Sequence, residues 1–447
     1  MTDLFEKYNI PVPRYTSYPT APHFHDGISH EQAQQWLINL PEEPISLYLH
    51  VPFCRQLCFY CGCHMKVVNG NKAIQDYVQT LQQEIQQVAQ LIGRQQMVQH
   101  IHWGGGTPSV IPQNELKQLM KTLRECFDIQ DDAEHAMELD PRVLDESYID
   151  LLAEEGINRA SIGVQDFDAS VQKAINRVQP FEDVENVVNW LRKNGINNIN
   201  FDLIYGLPEQ NLDTIAQTIS LTQKLTPTRI ALFGYAHVPW MKKHQKILEK
   251  YDLPKAKNRQ RLFDFAVQEL ENAGYMRVGY DHFALPDDSM AIAFKNKMLH
   301  RNFQGFTVDS ADTLIGLGVS SISCLPAGYI QNYSDISEYR ARVENSLLPV
   351  CKGVAVTKED ILRRCLIERL MCDYVVDVGK TCQQLGHSLN VLDDIWPKLE
   401  ALAHDQLVEV SENIVKVTVT GKPFIRVIAA CFDAYFEIKE QRHAQAV

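Results

Sequence analysis

The stretch CRQLCFYCGC, residues 54–63, places four cysteines within ten positions. Cys54, Cys58 and Cys61 follow the spacing C-x3-C-x2-C, and Cys63 comes two residues later. The other seven cysteines are scattered along the chain and form no second closely spaced pair. A structural zinc site normally draws its ligands from two such pairs, so a zinc site made from this loop alone would be cramped. Four free thiols in one loop would be open to oxidation.

An iron–sulfur cluster suits this spacing better. A [4Fe-4S] cluster normally takes four cysteine thiolates, so three closely spaced thiolates leave one iron without a protein ligand. An iron with an open position can bind and reduce a small molecule, as catalytic metal sites do when they keep one position free. The loop therefore favours a cluster that takes part in chemistry.

The composition is that of an ordinary globular protein. The chain has 447 residues, of which 45% are hydrophobic and 22% charged, enough for a large core and a second unit. We expect no signal peptide in the first twenty residues and no membrane span, because no apolar run approaches the ~18 residues that a span needs. A cytoplasmic location, where thiols stay reduced, is expected. The net charge of −13 argues against a nucleic-acid surface but allows a few Arg or Lys residues in a pocket.

Strand-like and helix-like runs alternate through the first half of the chain. The predicted strands are residues 45–51, 100–103, 136–139, 159–164, 199–206 and 229–235. The predicted helices are residues 72–93, 114–126, 146–155, 181–193 and 211–224. This alternation predicts parallel βαβ units, arranged either as an open doubly wound sheet or as a partial barrel. Polar and glycine-rich residues follow several of the strands. A barrel builds its site from many strand ends, whereas a doubly wound sheet builds it at the one point where the strand order reverses, so this distribution favours a partial (βα)6 barrel.

Two strand ends carry residues that a ligand could use. The sequence GGGTP, residues 104–108, lacks the G-x-G-x-x-G spacing of a dinucleotide site. Its three glycines would let a ligand approach the backbone, although a tight turn explains them equally well. Glu138, in MELDP, either caps the next helix or accepts hydrogen bonds from a cationic ligand.

Three further polar residues lie at the same level of the predicted sheet. Asp202 interrupts an otherwise apolar strand, which is costly unless the carboxylate has a partner or a ligand such as ribose hydroxyls. Gln165, in GVQDF, offers a neutral donor and acceptor. Arg177, in NRVQP, is either a partner for a carboxylate ligand or a solvated surface residue.

The cysteine spacing, with the aromatic Tyr60 before the third cysteine, resembles the radical S-adenosylmethionine (SAM) superfamily. Motifs across residues 11–330 are more specific; they are PRYTSYPTA, YLHVPFC, CGC, HWGGGTPS, ELDPR, SIGVQDF, INRVQP, DLIYGLP, YAHVPW and HRNFQGFT. Together they resemble the oxygen-independent coproporphyrinogen III oxidases, also called coproporphyrinogen dehydrogenases. The related heme chaperones share the three-cysteine motif but as a rule lack CGC, RYTSYPT and RNFQGFT.

This resemblance implies a [4Fe-4S] cluster held by Cys54, Cys58 and Cys61, with two SAM molecules near it. The residues implied in SAM binding are Tyr48, Tyr60, Gly105, Gly106, Thr107, Glu138, Gln165, Arg177, Asp202, Ala236 and Ile322, with Phe303 and Gln304 beside the second SAM. The residues implied in catalysis are Cys63, Tyr48 and Glu138. Cys63 would be needed without being a cluster ligand. Tyr60 departs from the phenylalanine most expected at its position, and without the resemblance Phe303 would be taken for a core aromatic.

The implied reaction belongs to porphyrin and heme biosynthesis. A 5′-deoxyadenosyl radical made from SAM would start the oxidative decarboxylation of two propionates of coproporphyrinogen III to vinyl groups, giving protoporphyrinogen IX. This substrate needs a wide apolar pocket with Arg or Lys at its rim, and Arg14 is a candidate unless it only packs on the surface. The expected partners are a reduced flavodoxin or ferredoxin, with no nucleic acid and no membrane, and the family implies a monomer.

Two alternatives stay open. A heme-binding chaperone on the same scaffold would bind heme and SAM without this activity. A zinc-dependent regulator would use a C-terminal winged-helix-like unit, although that unit is not basic.

Three domains are predicted: an N-terminal arm at residues 1–40, extended around its prolines, a catalytic barrel at 41–350, and a C-terminal unit at 351–447. The C-terminal unit should contain an amphipathic helix over residues 358–376 and a second helix near 391–404. A hairpin with its turn at Glu412-Asn413 and a last helix at 422–439 should follow. A lid or packing role is the more ordinary expectation for this unit.

Overall fold

The chain folds around one large mixed sheet against which helices pack. The computed structural model describes residues 2–437, with side chains from residue 4 onward. Its strands are β1 Ile45–Val51, β2 Phe53–Cys54, β3 Lys66–Val67, β4 Met97–Gly105, β5 Asp128–Leu139, β6 Arg159–Gln165, β7 Asn198–Tyr205, β8 Arg229–Gly234, β9 Met276–Val278, β10 His282–Ala284, β11 His300–Asn302, β12 Gly305–Thr307, β13 Leu314–Leu317, β14 Ile322–Leu325, β15 Gly328–Asn332, β16 Val350–Ala355, β17 Val375–Asp377, β18 Val408–Ser411 and β19 Ile414–Val417.

Helices follow most of the strands. The α-helices are α1 Thr2–Tyr8, α2 His30–Ile38, α3 Lys72–Ile92, α4 Gln113–Cys126, α5 Glu146–Glu154, α6 Ala169–Ala174, α7 Phe181–Lys193, α8 Leu212–Leu225, α9 Ala256–Asn272, α10 Ser289–Lys295, α11 Ile336–Glu344, α12 Lys358–Asp373, α13 Val378–Gln384, α14 Trp396–His404 and α15 Ile425–Ala430. Short 3-10 helices are Ala21–His23, Pro108–Val110, Pro141–Val143, Lys243–Lys250, Leu389–Leu392 and Lys422–Phe424. Within residues 2–437 no helix combines the length and the hydropathy needed to cross a bilayer.

The main sheet confirms the partial (βα)6 barrel. Its strand order is β16-β15-β14-β13-β1-β4-β5-β6-β7-β8-β10-β9. The six strands β1, β4, β5, β6, β7 and β8 are parallel neighbours, each followed by a helix. Strand β13 adds a parallel neighbour to β1, and antiparallel strands extend the sheet beyond β13 and β8. Because β16 and β9 end the order without pairing to each other, the barrel is open.

Successive side chains of each strand point to opposite faces of the sheet, so one face contributes to the apolar core and the other to the site. In β1 the side chains of Leu47, Leu49 and Val51 are fully buried with apolar residues of α3. The intervening side chains point to the opposite face of the sheet, because successive residues of a strand alternate. Parallel strands covered on both faces read as nearly continuous apolar runs, which is why the polar residues among them stand out.

Local sequence signals set several helix ends. Helix α8 begins with a capping box between Asn211 and Thr214, in which each side chain bonds the backbone of the other. Helix α12 begins with the equivalent pair Thr357 and Asp360. Helix α3 ends at Ile92 and is followed by Gly93, which adopts the left-handed conformation (φ 73°) that glycine takes at little cost.

The C-terminal unit has its own core, formed by α12, α13, α14 and α15 with the three-stranded sheet β17-β19-β18. The predicted turn at Glu412-Asn413 joins β18 to β19 and is confirmed. Aromatic side chains of the N-terminal arm, including Tyr15 and Tyr18, are buried in this core. Strand β16 continues the main sheet past residue 350, and the three-domain division stays a prediction.

The expected last helix at residues 422–439 is wrong in its length. The structure has a 3-10 turn and then α15, which ends at Ala430; residues 438 and 439 lie outside the described part of the chain. The carboxylate of Asp433 accepts hydrogen bonds from the backbone N–H of Tyr435 at 2.8 Å and from the Tyr15 hydroxyl at 3.1 Å. Asp side chains that bond nearby backbone compete with helix formation, which explains the early end. Likewise, the helix expected over 358–376 ends at Asp373, and Val375 begins β17.

Candidate active site

Strand register brings the predicted residues Tyr48 and Glu138 together on the polar face of the sheet. Tyr48 pairs with His102, and His50 pairs with Gly104, across β1 and β4. A Cβ atom at Gly104 would lie 2.8 Å from Oε1 of Glu138 and 3.1 Å from the hydroxyl oxygen of Tyr48. The side chains of Tyr48 and Glu138 therefore meet over a glycine that leaves them room.

Two histidines that the sequence analysis did not single out support this pair. Nε2 of His102 lies 3.5 Å from Oε1 of Glu138, and its ring stacks on Tyr48 with 6.0 Å between centroids. His50 contacts the Tyr48 hydroxyl through Nδ1 at 3.2 Å and the His64 carbonyl oxygen through Nε2 at 3.1 Å. Since a carbonyl only accepts, Nε2 carries the proton and Nδ1 accepts from the hydroxyl. Burial lowers the pKa of His50 to about 4, which keeps the ring neutral near pH 7.

Asp202 lies on β7 with hydrogen-bond donors from its own and the neighbouring strand. Ser161 donates to Oδ2 at 3.1 Å, and Nδ2 of Asn200 donates to Oδ1 at 2.9 Å. Burial and the charge of Glu138 raise the pKa of Asp202 to about 6, although the two donors act in the opposite direction. Asp202 is thus a carboxylate that changes charge close to neutral pH.

The glycines after β4 pack against the start of the cysteine loop. A Cβ at Gly105 (φ 112°) would lie 2.6 Å from the ring of His50, and one at Gly106 would lie 2.7 Å from the backbone oxygen of Phe53. The hydroxyl of Thr107 lies 3.2 Å from Sγ of Cys54. These glycines therefore let the backbone after β4 lie close to His50 and Phe53, which places Thr107 beside the first cysteine of the loop.

Arg177 is buried, so the alternative of a solvated surface arginine is wrong. Its guanidinium lies 3.4 Å from the carboxylate oxygens of Asp140, donates to the Gly163 carbonyl at 2.6 Å, and lies 3.7 Å from Sγ of Cys58. Arg142 binds the same carboxylate at 2.6 Å and 2.9 Å. Burial lowers the pKa of Arg177, but nearby anionic groups outweigh that effect and raise the pKa overall. The two guanidiniums in turn hold the pKa of the Asp140 carboxyl below its usual range despite burial.

We expect Asp140→Ala to destabilise the protein, because it would leave two guanidiniums facing each other without their shared carboxylate. Breaking a buried ion pair by removing one partner costs about 3–5 kcal/mol. Urea unfolding of the apo protein checks the free energy of unfolding, with Asp131→Ala on the exposed part of β5 as the matched control. Equal stability of the two variants would show that Asp140 does not hold this region.

Donors from two other segments hold the cysteine loop by its carbonyl oxygens. These hydrogen bonds run from Asn176 to Leu57, from Gln245 to Tyr60, from His244 to Cys61 and from Lys242 to Cys63, each with 2.8 Å between nitrogen and oxygen. The backbone of the loop is thereby fixed, while its thiols stay available. Gln245 is completely buried, which marks this contact as part of the fold.

The sulfurs of Cys54, Cys58 and Cys61 lie close enough for the charges of two to affect the pKa of the third. Burial raises the pKa of Cys54 to about 11. The charges of Cys61 and Cys58 add to this shift, so the sulfurs interact electrostatically. A hydrogen bond with Cys63 lowers the pKa of Cys61 to about 7. Among residues 2–437 no three His, Cys, Asp or Glu side chains converge on one metal ion, as a mononuclear zinc site would require. A [4Fe-4S] cluster needs no such convergence, because each thiolate binds a different iron.

Three other predicted residues also lie around this centre. A Cβ at Gly163 would lie 2.8 Å from Nε2 of Gln165 and 3.0 Å from Nη2 of Arg177, so these two side chains meet. Tyr60 is close enough to Arg177 that each affects the pKa of the other. The backbone of Ile322 packs on Gly316, the residue of β13 that pairs with Tyr48.

A cavity of about 550 Å³ contains the remaining predicted residues, Ala236, Phe303 and Gln304. Its wall includes the arginines Arg14, Arg259, Arg277, Arg301 and Arg426. Asp281 is its only acidic residue among the described ones, and its carboxylate is paired with Nδ1 of His282 at 2.7 Å. Aromatic side chains from β7, β8 and α9 line the rest. The cavity is therefore cationic and aromatic.

The cysteine loop was visible in the sequence, but most of the groups that support it were not predicted. Asp140 and Arg142 stand in the quoted motif ELDPR, and His50 in YLHVPFC, so their position beside known candidates was a usable signal. Arg301 stands in HRNFQGFT in the same way. Arg277 had no such signal, because it lies in a short edge strand far along the chain.

Comparison with known proteins supports the resemblance to radical SAM proteins that the sequence motifs indicate. The family described as the Radical SAM superfamily matches residues 48–222, which contain the cysteine loop and most of the parallel strands. This match supports the [4Fe-4S] cluster and SAM as the cofactors of the chain.

Relatives similar over nearly the full length narrow the family. An oxygen-independent coproporphyrinogen III oxidase from Bradyrhizobium diazoefficiens is 44% identical over 98% of this chain and 97% of its own length. One from Salmonella typhimurium is 39% identical over 98% of this chain and 95% of its own. The structure of the coproporphyrinogen III oxidase from Escherichia coli, described as a radical SAM enzyme, has a TM-score of 0.91 at 38% identity and covers 96% of this chain and all of its own. This chain thus belongs to the oxygen-independent coproporphyrinogen III oxidases of the radical SAM superfamily.

Proposed function

We propose that this chain converts two propionate side chains of coproporphyrinogen III into vinyl groups without oxygen, giving protoporphyrinogen IX. The observation that carries the proposal is the cavity of about 550 Å³, whose wall, among the described residues, contains five arginines and one carboxylate. A tetrapyrrole with four propionates is a large anion with an apolar body. Guanidinium groups bind carboxylates through paired hydrogen bonds, and aromatic walls suit the rings.

The arginines of this cavity have unused hydrogen-bond donors. Nε of Arg259, Nε of Arg277 and Nη1 of Arg301 are buried and have no acceptor among the described residues. An unsatisfied buried donor costs about 1–3 kcal/mol, so an anionic ligand would gain by accepting from these groups. Burial lowers the pKa of Arg426, and the charges of Arg14 and Arg301 contribute in the same direction. Carboxylates would relieve this crowding of like charges.

We further propose that Cys54, Cys58 and Cys61 hold the [4Fe-4S] cluster. When bound, the cluster and SAM would supply the radical chemistry needed to remove a hydrogen atom that no side-chain base could take as a proton. The proposed SAM contacts are Tyr48, Tyr60, Gly105, Gly106, Thr107, Glu138, Gln165, Arg177, Asp202, Ala236 and Ile322. Phe303 and Gln304 would lie beside a second SAM. Cys63, whose backbone N–H lies 3.4 Å from Sγ of Cys61, would support catalysis without binding iron.

The side chains of the protein contribute to the reaction by positioning the substrate and by keeping its propionates ionised. Guanidinium groups lower the pKa of a bound carboxyl, so the propionates stay ionised, as loss of CO2 requires. The neutral His50 accepts from the Tyr48 hydroxyl and so leaves the lone pairs of that oxygen for a donor on SAM. We also propose that the enzyme works as a cytoplasmic monomer and receives electrons from a flavodoxin or ferredoxin.

SAM binding is expected to weaken as the pH falls through about 6. The ionised Asp202 would accept hydrogen bonds from ribose hydroxyls, and its pKa of about 6 means that acid protonates it. Below that value the dissociation constant should rise by up to about tenfold per pH unit. Equilibrium dialysis with labelled SAM measures it, and Asp202→Asn should bind more weakly at neutral pH with a flat profile. The same slope in that variant would remove Asp202 from the site.

An anaerobic assay tests the proposed function. Reconstituted protein, SAM, coproporphyrinogen III and dithionite should yield 5′-deoxyadenosine, CO2 and a divinyl product that chromatography separates after oxidation. A protein that binds heme tightly and forms no vinyl product would instead support the heme chaperone alternative. The near full-length relatives, all oxidases by name, favour the oxidase.

A further inference from the structure

A lysine-rich segment contrasts with the acidity of the rest of the chain. Residues 242–257 contain six lysines and two acidic residues, a net charge of +4, on a chain whose total is −13. The segment comprises the 3-10 helix Lys243–Lys250 and the approach to α9. A local patch of opposite sign on a charged protein directs where a charged partner can approach.

This lysine segment is bonded directly to the cysteine loop. Lys242 and His244 donate to the carbonyl oxygens of Cys63 and Cys61, each at 2.8 Å. Leu248 of the segment is fully buried in one apolar cluster with Phe59 of the loop. The lysine segment is thus in direct contact with the cysteine loop.

Four of the other five lysines of the segment are available to a partner, whereas Lys250 lies over the ring of Tyr251. Lys243, Lys246, Lys255 and Lys257 are exposed, and none of the carboxylates within residues 4–437 pairs with them. The nearby Met241 is 66% exposed and adds an apolar contact. Protein interfaces that use steering charges combine in this way a charged rim with a small apolar centre.

We propose that the lysine segment is the docking surface for a small acidic protein that delivers single electrons to the cluster. The proposal rests on the proposed function, because only a cluster that is reduced in each turnover needs such a donor. The donor loses one electron, the cluster gains it, and no proton or bond is exchanged at this step. An acidic donor would be repelled by most of this chain and attracted here, which is why charge favours this site.

The polyanionic substrate is the competing occupant of these lysines. It would need only guidance towards the cavity, where five arginines already provide positive charge. None of these lysines is part of the cavity wall, whereas Lys242 of the same segment is bonded to the cysteine loop. The geometry therefore favours a protein partner over the substrate.

The test measures binding of a bacterial flavodoxin, a small acidic one-electron carrier, to the full-length reconstituted protein by calorimetry. Lys243→Glu combined with Lys246→Glu reverses two exposed charges without touching Lys242. The dissociation constant should rise at least about tenfold at low salt, and moderate salt should weaken wild-type binding. The matched control, Lys117→Glu with Lys121→Glu on α4, should change it by less than about twofold.

A second readout separates this proposal from the proposed function. Dithionite bypasses a protein donor, so dithionite-driven SAM cleavage should be equal in all three proteins, while flavodoxin-driven cleavage should fall only in the segment variant. Unchanged flavodoxin binding in that variant, or no binding by wild type, would overturn the docking surface. A raised KM for coproporphyrinogen under dithionite would assign the lysines to the substrate instead. No SAM cleavage by wild type with dithionite would refute the proposed function alone, since binding is measured without turnover.

Discussion

Cys58→Ala is expected to yield a protein that cannot assemble a stable [4Fe-4S] cluster or cleave SAM. Three of the four thiols in the loop are proposed as cluster ligands, so the loss of Cys58 leaves two of these ligands for the cluster. Arg142 and Arg177, which lie 3.8 Å and 3.7 Å from the Cys58 sulfur, would lose that contact. Product formation should fall to the uncatalysed level, a loss of at least about 10⁶-fold. Iron and sulfide analysis with visible absorption of anaerobic protein gives the readout.

Cys63→Ala and Cys351→Ala separate cluster assembly from the general loss of a thiol. Both variants should retain iron and sulfide, since neither residue is proposed as a ligand. Cys63→Ala should nevertheless lose activity, because Cys63 contacts Cys61 and lowers its pKa. Full iron content in Cys58→Ala, or none in Cys63→Ala, would mean that the ligands are assigned incorrectly.

The second large effect is expected from Arg259→Gln combined with Arg277→Gln. Each arginine has a buried Nε–H without an acceptor in the described structure, and both line the cavity. A hydrogen bond to a charged group contributes about 1.5–3 kcal/mol, so losing two should raise the KM for coproporphyrinogen by roughly 100-fold or more. Anaerobic steady-state kinetics with dithionite measures the KM. SAM binding should change little.

Arg261→Gln is the matched control for this pair. Arg261 lies on α9, two residues after Arg259, but it is exposed and outside the cavity wall. The control should keep the wild-type KM. If the double variant also keeps it, the cavity does not bind the propionates and the substrate enters elsewhere.

The sequence was most informative where a pattern is local. The alternation of strands and helices predicted the six parallel strands of the barrel, and the turn at Glu412-Asn413 was placed correctly. Periodicity identifies such elements because burial of one face imposes it. The end of the last helix escaped prediction, because Asp433 bonds the nearby backbone of Tyr435 and also the hydroxyl of Tyr15, and only the fold shows the contact with Tyr15, more than 400 residues away.

In the site, too, local features were predicted from the sequence and features assembled from distant residues were not. The cysteine loop was visible from spacing alone, and the strand ends indicated where polar residues would gather. The arrangement of Arg177, Asp140 and Arg142 was not visible, although all three stand in quoted motifs, because only the fold shows that two arginines share one carboxylate. The arginine cavity was foreseen only at Arg14, since its wall is assembled from the N-terminal arm, edge strands and the C-terminal unit.

Transfer of deuterium from the substrate to 5′-deoxyadenosine tests most directly whether a radical made from SAM abstracts hydrogen from the propionates. Coproporphyrinogen III labelled with deuterium at the β-carbons of its propionates would be incubated anaerobically with the reconstituted protein, SAM and dithionite. We predict that mass spectrometry finds the deuterium in the methyl group of 5′-deoxyadenosine, in step with the appearance of vinyl product. Vinyl product accompanied by unlabelled 5′-deoxyadenosine would contradict radical abstraction at that carbon, and with it the chemistry assigned to this site.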